Sequence, residues 1–184
     1  MALYDDIYEI AADNHGIVTS AQAKRVGASD KELSRIAGDG RLIRIGYGVY
    51  RIRYWVPMEN DVFAEAVAVV GPQAYLYGES VIAMHALAPT NPARIRVATP
   101  KRVRRSLPAS IEVVRRASRD DVTEYDGIPS QSIQTAIMSC RGTMMRDRLV
   151  DAAGRARELG LIRVSEERSI LCQLRQAVTS KSAP

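Results

Sequence analysis

The chain has 184 residues, 46% of them hydrophobic and 26% charged, with a net charge of +5. It is long enough to bury a core, too mixed for a disordered tract, and basic enough to favour a polyanionic partner. Two cysteines and two histidines argue against a disulfide scaffold, a structural metal site or a Cys/His dyad, so no cofactor or metal is expected.

The first residues, MALYDDIYEI, are acidic where a secretory leader needs cations. No apolar run approaches the roughly 18 residues that span a bilayer, so a cytoplasmic protein without a membrane partner is expected. Leu3, Ile7, Ile10 and Ala11 form one stripe of a first helix that stops at His15-Gly16. Thr19 to Gln22 and Ser29 to Glu32 each fit a capping box. They predict two short helices meeting across Gly27-Ala28.

A capped helix pair with this tight turn predicts a helix-turn-helix, whose second helix enters a DNA major groove. Its outward positions would be Asp30, Lys31, Ser34 and Arg35, with Ser29 at the helix start and Lys24 and Arg25 closing the preceding helix against phosphate. Leu42–Ile45 and Val49–Ile52 flank Gly46-Tyr47-Gly48 as a hairpin. Its cations Arg44, Arg51 and Arg53 alternate with apolar residues, the plan of a wing. Arg41 and the turn residue Tyr47 complete the expected DNA-binding set.

The segment from His15 to Ile52, HGIVTSAQAKRVGASDKELSRIAGDGRLIRIGYGVYRI, resembles the N-terminal winged-helix module of AbiEi-type antitoxins and related transcriptional regulators. The positions carrying the likeness are T-S-A-Q-A, Leu33-Ser34-Arg35 and the run from Gly40 to Tyr50.

Beyond Trp55 and Pro57, Asp61 starts an apolar helix, and a second runs from Glu79 to Leu87. His85 on it reads as an interior or boundary histidine. Arg94–Ala98, Ile111–Arg116 and Val122–Tyr125 read as strands, followed by an Asp126-Gly127 turn and a helix from Ser132 to Ser139. Met145, Leu149, Ala152, Ala156 and Leu159 predict one helical face. Ile170, Leu171, Leu174 and Val178 predict the last, capped near Ser165 and ending in a frayed tail.

Residues 94–119 carry nine cations and one acid. Lys101, Arg102, Arg104, Arg105, Arg115 and Arg116, with Arg119, therefore form a candidate second basic patch for DNA or an acidic protein face, or else a solvated loop. The acids Asp120, Asp121, Glu124 and Asp126 lack the companion lysine and strand context of a metal nuclease. No phosphate-binding glycine loop is present, so no enzyme is expected.

The C-terminal half also resembles AbiEi-like regulators, at residues 74–87, 91–100 and 126–132. The resemblance implies an antitoxin of a type IV toxin–antitoxin system. It would bind repeated sites in double-stranded operator DNA, repress its own operon and counter a nucleotidyltransferase-like toxin. The alternative is a module that neutralises a protein partner without specific DNA binding. The expected architecture is α+β: a winged helix-turn-helix over residues 1–56, then an α+β regulatory domain over 57–184 with a small sheet and C-terminal helices.

Overall fold

In the computed structural model, residues 2–90, 92–118 and 121–179 are described. The expected frayed end beyond residue 179, and Arg119 and Asp120, lie outside them. The chain is α+β, with helices and two sheets.

The apolar stripe at the N-terminus forms helix α1 (Ala2–Ala12), with Ile7 and Ala11 fully buried. Its end is marked by positive φ at His15 and Gly16, and β1 (Ile17–Thr19) follows directly. Thr19 then caps α2 (Ser20–Arg25), and Ser29 caps α3 (Asp30–Gly38). In both, the hydroxyl accepts from the third backbone N–H, and the Gln22 or Glu32 side chain accepts from the cap residue's own N–H. Each cap stabilises its helix by about 1 kcal/mol. Gly27, at φ +87°, makes the turn between them.

Strands β2 (Leu42–Gly46) and β3 (Val49–Ile52) form the hairpin, and β1 adds to β3 to give the antiparallel order β1-β3-β2. Leu42, Tyr50 and Ile52 close the core over Ile7, Ala23, Leu33 and Ile36. Helix α4 (Asp61–Val70) packs against β2, with Val69 lying beside Gly46.

The chain divides into two compact units. One runs to Pro72 and takes in Arg104–Leu107; the other comprises Gln73–Val103 and the chain from Pro108. The break expected at residues 56–57 therefore misses α4, which joins the first unit through two anchors. Asp61 is 5% exposed and accepts from the Trp55 indole at 2.7 Å and the Met58 N–H at 2.8 Å, with His15 Nδ1 at 3.0 Å. At the other end, Arg105 donates to the carbonyls of Val69 and Val70, both at 2.7 Å. These are terminal carbonyls that a helix cannot satisfy internally.

The second unit is built on β4 (Tyr75–Leu76), β5 (Ile95–Thr99), β6 (Ile111–Arg115), β7 (Val122–Tyr125) and β8 (Ile128–Gln131), in the order β6-β5-β4-β8-β7. The sheet is mixed, with β5–β6 and β4–β8 parallel. Five strands stand where the sequence suggests three, because β4 and β8 are too short for visible alternation. Helices α5 (Glu79–Met84), α6 (Ile133–Ser139), α7 (Arg146–Glu158) and α8 (Val164–Thr179) pack with one another and with the sheet. Helix α5 ends earlier than Leu87, since Ala86 takes φ +48°. On α7, Leu149, Ala152 and Ala156 are buried as expected, whereas Met145, at the N-cap, is 73% exposed and Leu159 is also exposed.

Burial without a hydrogen-bond partner at Nε2 pushes the His85 imidazole below its ordinary range, and its ring meets Tyr125 edge-on at 4.5 Å. The unfolded chain takes up a proton near pH 6.5 that the folded chain resists, so this stabilisation is present above that pH and lost below it. Between pH 7.5 and 5.5 the thermal midpoint of the wild type is expected to fall with acidification. In His85→Phe that slope should flatten; equal slopes would refute the assignment.

Candidate nucleic-acid interface

Leu33 and Ile36 turn inward on α3, which fixes Lys31, Ser34 and Arg35 on its exposed side. The sequence-predicted residues of the first unit do not all keep their groups free. Ser29 is engaged with Glu32, whose carboxyl is held below its usual range chiefly by the Ser29 backbone N–H. The Ser34 hydroxyl donates to the Asp30 carbonyl at 2.8 Å, the local back-bond that this residue type makes inside helices. Lys24 is paired with Asp30 at 2.7 Å across the turn, and that hydrogen bond lowers the Asp30 carboxyl. Arg35 is paired with Asp39 at 3.0 Å. Arg25 and Lys31 are exposed without an ion pair among the described residues.

On the hairpin, Arg44 bonds the Gly46 carbonyl at 3.3 Å and Arg53 the Gly40 carbonyl at 2.6 Å, while Arg41 lies 5.1 Å from the centre of the Tyr4 ring. Tyr47 is 76% exposed at the turn. Arg51 departs from the expected wing. It sits opposite Ile17 and Ile43 on the central strand and is ion-paired with Glu65 of α4, so it belongs to the packing behind the sheet.

The second patch is divided. Parallel register places Thr99 beside Arg115, which brings Lys101, Arg102 and Arg115 to one end of the second unit's sheet, all three exposed. Arg116 stacks 5.0 Å from the Tyr77 ring centre and also donates to the Tyr77 hydroxyl. Arg104 and Arg105 belong to the first unit, where Arg105 closes α4. Burial also pushes the Cys140 thiol up to about 11, which makes it a poor nucleophile at neutral pH. No described helix is long and apolar enough to cross a membrane.

Reasoning from sequence missed the pairing of Arg35 with Asp39, although four-residue spacing on a helix signals it. The Lys24–Asp30 pair spans a turn and has no such periodic signal.

Two capped helices joined by a glycine turn, with a hairpin alongside, make the N-terminal unit a helix-turn-helix-like module. Residues 5–53 match the family model described as "Transcriptional regulator, AbiEi antitoxin", a stretch that begins within α1 and runs to the end of the hairpin. Among solved structures, the chain is similar to the RV2827C protein from Mycobacterium tuberculosis, at 13% identity and a TM-score of 0.47. That likeness covers 94% of this chain and 81% of the other. No curated protein matches the chain.

Proposed function

We propose that this protein is a sequence-specific DNA-binding transcriptional regulator, and that its N-terminal unit is a winged helix-turn-helix with α3 as the reading helix and the β2–β3 hairpin as the wing. The observation that carries the reading is the exposed side of α3, which presents Lys31 and Arg35 beyond two capped helices joined by a glycine turn, in the segment that matches a regulator family. Lys31 and Arg35 address base edges and flanking phosphate, Arg25 and Lys24 the backbone before the helix, and Arg41, Arg44 and Tyr47 the backbone beside it. Arg51 has no part in this surface. Ser29 acts by starting α3, whose N-terminal amides favour phosphate, and Ser34 presents its oxygen as an acceptor.

The same reading extends to an antitoxin that represses its own operon through repeated double-stranded sites and counters a nucleotidyltransferase-like toxin. Lys101, Arg102 and Arg115 supply a second polyanion contact for flanking DNA or for an acidic toxin face. The protein acts by binding rather than catalysis.

Gel shifts of the chain's own upstream promoter fragment at two salt concentrations test this. A shift that weakens with salt and resists competition by random DNA is expected. No shift at low salt would leave only the protein-interaction reading. Arg35→Ala is expected to weaken operator binding by about 1–3 kcal/mol, as for loss of a bidentate base contact, and random-DNA binding by less. Equal losses on both would make Arg35 a phosphate contact.

A further inference from the structure

We propose that Asp39 is a specificity-determining residue: as the internal counter-ion of Arg35, it lets the guanidinium read a neutral base edge while opposing its capture by any phosphate. This rests on the DNA-binding reading above and adds to it a reason for an acid on the reading helix.

The pair does little for the helix itself. Asp39 is the C-cap of α3, where a carboxylate meets the negative end of the helix dipole. The cation precedes the acid by four residues, the reverse of the order that supports a helix. Helix termination does not need the carboxylate either. The Asp39 N–H bonds the Arg35 carbonyl at 2.8 Å, the Gly40 N–H the Ala37 carbonyl at 3.1 Å, and the Arg41 N–H the Ile36 carbonyl at 3.2 Å. Gly40 supplies the left-handed residue at φ +76°.

What the carboxylate does is orient and screen. Guanidinium has five N–H donors, so Arg35 can keep one on Asp39 and still offer a fork to a guanine edge. A guanine edge is neutral and tolerates the nearby carboxylate. A backbone phosphate is anionic, so it must displace Asp39 or bear its repulsion. Both partners are largely exposed, at 66% and 49% of their side-chain surface, so the pair can exchange with solvent. Asp30 holds Lys24 in the same way on the other side of the turn, but at the start of α3 its charge also favours the helix. Asp39 is therefore the cleaner probe.

The test uses the full chain in competition gel shifts on the upstream promoter fragment and on random duplex of equal length, across a salt series. Asp39→Asn is expected to bind random DNA about two- to five-fold tighter, the range that loss of an exposed ion pair allows. The operator should gain less than about twofold, so the specificity ratio falls. Freeing one cation should steepen the log–log salt slope on random DNA by about 0.9. Asp39→Glu keeps the charge and should stay near the wild-type ratio, which separates charge from any change at the helix end. Operator binding with an unchanged ratio in Asp39→Asn would overturn this proposal and leave the regulator reading standing. No shift of either duplex by wild type or variant would overturn both.

Discussion

Replacing Asp61 by alanine is expected to destabilise the N-terminal unit by about 1–3 kcal/mol, the range for leaving hydrogen-bonding groups without their acceptor. The carboxylate joins three places in the chain: the indole of Trp55, the backbone N–H of Met58 and the His15 ring. Alanine removes the acceptor that the Trp55 indole and the Met58 N–H share, and unsatisfied donors are costly. The change also removes negative charge from the first turn of α4, where the dipole favours it. Trp55 is the only tryptophan in the sequence, so its fluorescence in a urea titration reports on the joint directly. Asp61→Asn retains one acceptor and should fall between wild type and alanine. A midpoint within about 0.5 kcal/mol of wild type, the range of ordinary surface substitutions, would show that the joint is not a stabilising one.

The second large effect is expected at Gly16. A Cβ there would lie 2.4 Å from Trp55 Cγ and Cδ2, and the residue stands at φ +71°. The left-handed conformation alone costs a non-glycine residue about 1–2 kcal/mol. The indole must also move, which takes its N–H off Asp61. The backbone cannot swing away freely, because the Gly16 carbonyl accepts from the Ile52 N–H at 2.9 Å and the Gly16 N–H donates to the Ala11 carbonyl at 2.7 Å. Gly16→Ala should therefore lose more than about 2 kcal/mol, with a changed tryptophan emission in the native baseline. Both substitutions act through Trp55, so the double variant should lose less than the sum of the single ones. Strict additivity would place the two effects in separate parts of the unit.

Helices α1, α2 and α3 were legible in the sequence because their signals are local: an apolar stripe, two capping boxes and glycines at the stops. The hairpin was legible for the same reason, from alternation around Gly46 and Gly48. Strands β1, β4 and β8 were not. They have three, two and four residues, and their pairing depends on distant partners rather than on a repeating pattern.

The same distinction separates the cations. Lys31 and Arg25 are exposed as their helical positions suggested. Alternation along the hairpin placed Arg51 on the wing and the density of cations placed Arg105 in the second basic patch, whereas Arg51 is held by Glu65 and Arg105 by the end of α4. Helix α4 lies outside the local sequence window of either arginine. The joint at Asp61 was invisible for the same reason, since His15 stands 46 residues away from it.

The return of Arg104–Leu107 to the first unit means that the polypeptide passes between the units three times, after Pro72, Val103 and Leu107. A protease that cuts once near residue 73 would therefore nick the protein without freeing its N-terminal part. The far fragment would still carry Arg105, gripping the last carbonyls of α4. A peptide ending at residue 56 would lose that clasp and the entire helix behind the hairpin. Separating the first unit whole thus calls for three breaks in the chain, or for one break after Pro72 and a substitute for Arg105.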